Sequence, residues 1–498
     1  MTVHLSILLW LPLAAAVVGL LLPAAIGRFA TLAGAIAALV VAIIVLARFD
    51  PDTGGLQFVT DRMWISELGI HYKLGVDGLN LFLLLLTTVI FLAGILWASL
   101  RAWERPRLFF FWWGLAESAV LGALLAQDLA LFVVFFDLML VPFLFLAGGW
   151  GGPNRIAGII KLFIYTLVGS LLMLSAAIAT GVLAPVPGID FSLSALAVAA
   201  PRLSHGTQEW IFLFFAAAFL VKMPAFPVHG WMPDGYKAMP LPVLAVFSAV
   251  LSKVAAYGFL RIVLPLYPDA SAHFQELMLL VALASILYGS AMAFTTTDSR
   301  LILGYSSVAQ LGFVTLGIFS LRDAGAQGAL LQAVNHGLVV APAFLIVALL
   351  AVRAAGSEDV RDMGGLAFRA PVLATLFLIV ALANLAMPGS SNFVGEFFIL
   401  LGTFQSKAAI AVVAFTGVVL ASVYTLRLFI RAMHNRLGPQ ATSREISLAD
   451  GLVVAPLVLL ILAFALYPQI ALSKGERSVT RAIAPARVAA GPAQEAAR

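Results

Sequence analysis

Long apolar runs separated by short polar breaks dominate the chain. A helix needs about 20 apolar residues to cross the hydrocarbon core of a bilayer. Such runs lie near residues 3–24, 29–47, 79–100, 109–126, 128–148, 160–184 and 210–228. They continue near 240–264, 276–297, 300–320, 326–353, 371–404, 408–431 and 451–472. The pattern predicts an all-α polytopic membrane protein of about 14 transmembrane helices, one per run. The residues between Leu162 and Ile189, and between Leu301 and Leu321, include no charged side chain. The first run reads as a span and not as a cleaved signal peptide, because no basic stretch precedes it.

Two runs are interrupted. The seventh contains Val221-Lys222-Met223-Pro224-Ala225-Phe226-Pro227, and the twelfth contains Ala386-Met387-Pro388-Gly389-Ser390. Proline lacks the donor a helix needs and its ring clashes with the preceding turn. Both runs are therefore expected to be discontinuous helices. Broken helices at matching positions point to an internal repeat, as in many transporters. Two inverted five-helix repeats are expected, spans 4–8 and 9–13. The chain then divides into residues 1–108 (three spans and an outward-facing loop), 109–265 (first repeat), 276–431 (second repeat), 432–475 (span 14) and a tail, 476–498. The Ala/Pro-rich end of that tail is expected to be disordered.

Composition narrows the class. Charged residues make up 11% and hydrophobic residues 62% of the 498 positions, against about 25% and roughly 45–50% in soluble domains. A soluble enzyme, a disordered chain and a nucleic-acid module are all excluded. The net charge of +5 sits between apolar runs and reports orientation instead. Loops after odd-numbered runs hold roughly twice as many Lys and Arg as the others, which predicts that they face the cytoplasm and that both termini face outward. Cysteine is absent, so thiolate metal sites and disulfides are impossible. The scattered histidines and the lack of a phosphate loop predict no metal and no cofactor bound by this chain.

The chemistry is carried by charges inside the runs. A charge at the bilayer centre costs roughly 2.5–3.5 kcal/mol on insertion scales and persists where it faces protein or water. Lys222 falls roughly 18 Å past Glu209 at the helical rise, near mid-membrane. Lys253 is midway along its run, and Asp137 lies about 13 Å past Asp128. Glu117 is inside the fourth run, His336 inside the eleventh, and Glu396 follows the second break. Each has a plainer structural reading: a snorkelling lysine, a carboxylate paired to a buried lysine, a helix-capping glutamate, a core histidine, a Glu117 solvated near a helix end. Asp128, Asp234 and Lys161 read as helix-end residues. Burial favours the neutral form of any such group and a nearby opposite charge favours the charged form. A row of such groups with water between them is a proton relay.

At these residues the chain resembles the antiporter-like membrane subunits of respiratory complex I, most closely the subunit M type. The matching stretches include Gly75-Val76-Asp77-Gly78-Leu79, Phe135-Phe136-Asp137-Leu138-Met139-Leu140-Val141-Pro142 and Lys161-Leu162-Phe163-Ile164-Tyr165-Thr166. Others are the stretch from Val221 through Asp234, Lys253-Val254-Ala255-Ala256-Tyr257-Gly258, Tyr305-Ser306-Ser307-Val308, Asn335-His336-Gly337 and Asn392-Phe393-Val394-Gly395-Glu396-Phe397. Glu396 selects the M type, since the L, N and cation-antiporter relatives typically carry lysine there. The resemblance implies that Asp137 and Lys222 form a coupled acid–lysine pair, that Lys253 and His336 are central relay groups, and that Glu396 is the exit-side relay. It also implies a bacterial plasma-membrane complex in which L-type and N-type neighbours flank this chain, with NADH, FMN, iron–sulfur clusters and quinone held by partner subunits. Three positions depart from the family pattern: Asp137 replaces glutamate, Gln310 replaces histidine, and Gly235 to Pro242 replaces an Ala-Pro-Thr-Ala-Gly motif. Alternative readings are a subunit of a multisubunit Na⁺/H⁺ antiporter, a subunit of a hydrogenase- or ferredoxin-linked complex, and a scaffold that has lost conduction.

Overall fold

The computed structural model describes residues 4–495 apart from 187 and 440, and side chains as far as residue 491. Its helices in chain order are α1 (Leu5–Leu21), α2 (Ala24–Arg48), α3 (Leu81–Ser99), α4 (Pro106–Leu125), α5 (Leu129–Leu138), α6 (Leu140–Trp150) and α7 (Arg155–Leu183). Next come α8 (Leu193–Ala199), α9 (His205–Lys222), α10 (Met232–Ala238), α11 (Leu241–Gly258), α12 (Leu264–Leu266), α13 (Pro268–His273) and α14 (Gln275–Thr295). The chain ends with α15 (Ser299–Phe319), α16 (Asp323–Arg353), α17 (Pro371–Asn384), α18 (Ser391–Ser406), α19 (Ala408–Met433), α20 (Leu448–Leu466) and α21 (Gln469–Glu495). Each of the fourteen apolar runs contains a helix or a helix pair, and among the described residues 11 helices are long and apolar enough to cross a membrane. The protein is a multi-pass membrane protein. Leu5–Leu21 and Pro371–Asn384 are apolar but shorter.

Prolines set the irregularities. Pro142 cannot donate to Leu138, and the fifth run bends between α5 and α6, immediately after Asp137. Pro265 removes a donor in the same way, and the last turns of the eighth run open into a π-helical turn over Phe259–Val263. The seventh and twelfth runs do break, at residues 223–231 and 385–390. Backbone groups freed inside a membrane must be satisfied by protein. At the first break Ala225 N donates to Leu220 O (2.9 Å), Phe226 N donates to Ser285 Oγ (2.9 Å), and Trp231 Nε1 donates to Val221 O (2.9 Å). At the second, Met387 N donates to Leu382 O (3.1 Å) and Asn335 Nδ2 donates to Ser391 O (2.6 Å).

The helices sort by burial. The Leu241–Leu266 span is wholly buried and α15 and α16 nearly so, whereas only about a third of the residues or fewer are buried in the spans of α2, α7, α19 and α20. The exposed side chains on α7, such as Ile164, Val168 and Leu171, are apolar because lipid or another membrane subunit meets them. The core helices α11 and α16 pack against each other, with α9 on one side of the pair and α18 on the other.

Two features depart from the expectation. The loop after the second run is an antiparallel β-hairpin, β1 (Gln57–Ile65) with β2 (Ile70–Val76), paired from Gln57↔Val76 to Ile65↔Ile70. The fold is therefore mostly and not entirely helical. The hairpin docks through Gln127 N to Lys73 O (2.8 Å) and His71 N to Asp128 Oδ2 (3.0 Å). The tail, expected to be disordered, is instead helical through residue 495; residues 496–498 lie outside the described residues. Val479, Ile483, Ala486 and Ala490 are buried at three- and four-residue spacing and form one face. That face covers α12, α13 and α16, and Arg487 Nη1 pairs with Asp323 Oδ2 at 2.5 Å. Burial of the face offsets the entropy of ordering a segment rich in Ala and Pro.

Ile483→Asp should detach α21, because an unpaired carboxylate is not accommodated on a buried face. Limited trypsin digestion in detergent should then cut after Arg477 and Arg481 faster than in the parent. Equal cutting rates would refute this packing account.

Candidate proton-transfer site

Asp137 is the penultimate residue of α5, beside the Pro142 bend, and accepts a hydrogen bond from Ser170 Oγ of α7 at 2.5 Å. Lys222 is the last residue of α9, and only 6% of its surface is exposed. Its Nζ donates to Phe136 O at 3.3 Å and lies 4.4 Å from the centroid of the Phe136 ring. The two charges are within electrostatic reach of each other. Among the described residues they do not form a direct ion pair, so the two groups face each other across a gap. Aspartate, one methylene shorter than glutamate, leaves that gap open. The ammonium also sits at the carbonyl end of α9, where the helix dipole favours a cation.

Lys253 is buried on α11, midway along the Leu241–Leu266 span, where its Nζ donates to Ser248 O at 2.8 Å. His336 on α16 lies within its electrostatic reach. The two helices come this close because Gly337 follows His336: a Cβ there would lie 2.8 Å from Ala249 O of α11. His336 is fully buried, and among the described residues neither ring nitrogen has a hydrogen-bond partner.

From His336 a line of amides leads to Glu396. Gln332 lies one turn before His336 and therefore on the same face. Its Nε2 donates to Gln310 Oε1 of α15 (2.8 Å) and to Glu396 Oε1 of α18 (3.3 Å). Gln310 Nε2 donates in turn to Asn384 O at the end of α17 (3.4 Å). Asn384 Nδ2 donates to Ser306 Oγ and to Thr425 Oγ1, each at 3.1 Å. Gly328 makes the approach of α16 to α18 possible, since a Cβ there would lie 2.7 Å from Ile399 N. Glu396 stands in the second turn of α18, near the amide end of the second half-helix, where a carboxylate is favoured.

Buried polar groups are nearly always hydrogen-bonded to protein or to ordered water. Here Glu396 Oε2, Gln332 Oε1, Asn335 Oδ1, Asn392 Nδ2 and both His336 nitrogens lack protein partners. Their concentration between α16 and α18 is what a chain of internal waters requires. Such a chain and side chains that exchange protons are the elements of a proton wire.

Glu117 is set apart. It is fully buried in α4 with both oxygens unpartnered, so the solvated helix-end reading of this residue fails. Asp128 is the N-cap of α5, accepting from Leu131 N at 3.0 Å, and Lys161 pairs with Asp234 at 2.7 Å; these are helix-end residues. Sequence reasoning missed Ser170, Gln332, Asn335 and Asn384. For Gln332 the signal was its four-residue spacing from His336. Asn384 gave none, because only the second break brings its carbonyl to Gln310.

Known proteins resemble this chain over nearly its whole length. The family model described as NADH:quinone oxidoreductase/Mrp antiporter, TM matches residues 126–421. NADH-quinone oxidoreductase subunit M of Rhodobacter capsulatus is 36% identical over 485 residues, covering 94% of this chain and 93% of the relative. The subunit M protein of Mycobacterium tuberculosis is also 36% identical, covering 93% and 91%. A chain in the structure of respiratory complex I from Thermus thermophilus with bound NADH superposes with a TM-score of 0.89 at 29% identity, covering 97% of this chain and 100% of that one. Identity at this level over nearly the whole length shows that the chain belongs to the NADH:quinone oxidoreductase/Mrp antiporter membrane-subunit family, in its NADH-quinone oxidoreductase subunit M branch.

Proposed function

We propose that the chain is the proton-translocating M-type subunit of an NADH:quinone oxidoreductase, and that Asp137, Lys222, Lys253, His336 and Glu396 carry the protons. The observation that carries this reading is the row of buried ionisable side chains through the spans, ending in the unpartnered groups around Glu396. Asp137 and Lys222 act as a two-state pair. When they approach, each stabilises the charge of the other; when they separate, the lysine more readily releases its proton toward Lys253. From Lys253 the proton passes to His336 and then, through waters held by Gln332, Asn335 and Gln310, to Glu396. Gln310 and Gln332 do not titrate, so they orient water and do not store a proton. Glu117 is a separate buried acid whose place is before Asp137 or outside the relay.

The driving force arrives from other subunits. NADH, FMN, iron–sulfur clusters and quinone belong to partners, and L-type and N-type membrane subunits flank this one in a bacterial plasma membrane. The half-helices support a two-repeat design of fourteen spans: Lys222 sits at the carbonyl end of the first half of one broken helix, and Glu396 near the amide end of the second half of the other. The repeats are inverted, occupy 109–265 and 276–431, and leave both termini on the outward face.

In inverted membrane vesicles, Lys222→Ala and Asp137→Ala should each strongly lower the protons moved per NADH oxidised, while Asp137→Glu should retain them. Unchanged stoichiometry in the alanine variants would remove the pair from the mechanism. Gln332→Leu should also lower pumping, because it leaves Gln310 Oε1 and Glu396 without a shared donor at a cost of about 1–3 kcal/mol. Parent-level pumping in that variant would mean that protons do not pass between α16 and α18.

A further inference from the structure

One motif has no part in the relay. Gly75 to Leu79 forms the corner between β2 and α3, and its Asp77 is buried against the π-helical turn that follows α11. Asp77 Oδ1 accepts from Leu79 N (2.9 Å) and from Arg261 Nη2 (2.5 Å). Arg261 Nε donates in turn to Tyr257 Oη at 3.0 Å, and Gln127 Nε2 reaches the same oxygen at 3.5 Å. Lys253, Tyr257 and Arg261 follow one another at four-residue steps along one helix and so share a face.

Beyond this group the protein opens. A cavity of about 270 Å³ opens on the face that carries the hairpin and α21. Lys73, Asp77, Gln127, Ser194, Arg261 and Arg481 line it. Of these Ser194 and Arg481 are exposed. Tyr257 does not line the cavity and is fully buried. Along α11 it is the next layer inward, about 6 Å from the level of Lys253 at the helical rise. Lys253 Nζ itself turns further inward, to Ser248 O, so Tyr257 is the aromatic layer between the cavity and the part of the helix that carries Lys253.

We infer that Tyr257, held by Arg261 and Gln127, is a seal that stops protons on Lys253 from escaping to the hairpin face. This rests on the relay reading of Lys253 above. An outward step would carry a proton from Lys253 Nζ through an intervening water to Tyr257 Oη while the phenol's own proton leaves Oη for a cavity water. A phenol has one proton to give and its oxygen lone pairs to receive with. Oη accepts from Arg261 Nε on the cavity side; Gln127 Nε2 reaches it only at 3.5 Å and shares its hydrogens with Gly75 O and Leu125 O, each at 3.4 Å. Arg261 thus occupies the cavity-facing lone pair, and the phenolic hydrogen turns away from the cavity, so release of a proton to a cavity water is blocked. Arg261 adds a second barrier, because its guanidinium stays charged and cannot pass a proton on, and a fixed positive charge opposes a cation in a narrow path. Asp77 is a positioning residue, since it fixes Arg261 against Tyr257. Lys73 is turned away, donating to Ser192 Oγ (3.0 Å) and Ser194 Oγ (3.2 Å) and paired with Asp61 (3.3 Å).

The test is passive proton conductance in vesicles holding the assembled complex, without NADH, under a potassium diffusion potential and normalised to the amount of this chain. The double variant Asp77→Asn/Arg261→Gln removes the clamp without leaving a lone buried charge and should raise the conductance several-fold. Adding Lys253→Met or Tyr257→Phe should return it to the parent value, a response that general loosening of the fold would not give. Arg261→Lys keeps the charge next to Asp77 but cannot span Asp77 and Tyr257 together; it too should leak, and it serves where the double variant fails to assemble. No added conductance in an assembled variant overturns the seal, as does a leak that survives Lys253→Met. NADH-driven pumping in Lys253→Met alone tests the relay separately: parent-level pumping there would reject the relay even if the leak experiment behaved as expected.

Discussion

Removing a charge from water is the constraint on which the rest of this structure depends. In a low-dielectric interior an ionisable group must find a partner, a dipole, water, or its neutral form. Lys222 finds the carbonyl end of a half-helix, an aromatic face and a carboxylate across a gap. Lys253 finds a single carbonyl and a histidine within reach. Glu396 finds an amide and the positive end of the other half-helix. None is fully compensated. A fully compensated ion pair would be a sink for the proton, and an uncompensated one would not persist in the membrane. In the proposed relay, that partial compensation is what would let a change elsewhere in a complex shift protons along the row.

The backbone obeys the same constraint. Breaking a helix inside a membrane frees donors and acceptors that lipid cannot satisfy. Here Ser285, Trp231 and Asn335 satisfy them, and the breaks place helix ends where charges need them. The glycines at 328 and 337 serve the same end differently. By removing side-chain volume they bring α18 and α11 against α16, so that groups on three helices come within hydrogen-bonding or electrostatic reach. Packing and proton chemistry are one arrangement here: a larger residue at either glycine would separate the groups before it harmed the helix.

The hairpin face shows the opposite use of the same physics. Around Asp77 and Arg261 the charges are compensated at short distance, and the hydrogen bonds converge on one phenol oxygen. That saturation immobilises the group, which suits a barrier, whereas the unsatisfied amides and imidazole around Glu396 suit a path. The contrast lies within one helix bundle and turns on the number of partners each polar atom has.

Much of this was legible in the amino-acid order because the relevant effects are local. Apolar run lengths, prolines and the placing of single charges act over one or two turns. They fix the helices, the two breaks and the positions of Asp137, Lys222, Lys253, His336 and Glu396 along their helices. The C-terminal helix was misread because its Ala- and Pro-rich composition masked the spacing of Val479, Ile483, Ala486 and Ala490, which becomes stabilising only over the floor made by α13 and α16. The hairpin was likewise invisible as a run of mixed polarity. Which groups meet was decided by tertiary structure alone. Gln310, Gln332 and Glu396, Asp137 and Ser170, and Asp77 and Arg261 are joined across tens to hundreds of residues, and no local periodicity carries such distances. The sequence determined what each helix brings and where along its length; the packing of helices through small residues decided which of those groups meet, because contacts between helices depend on surfaces that lie far apart in the chain.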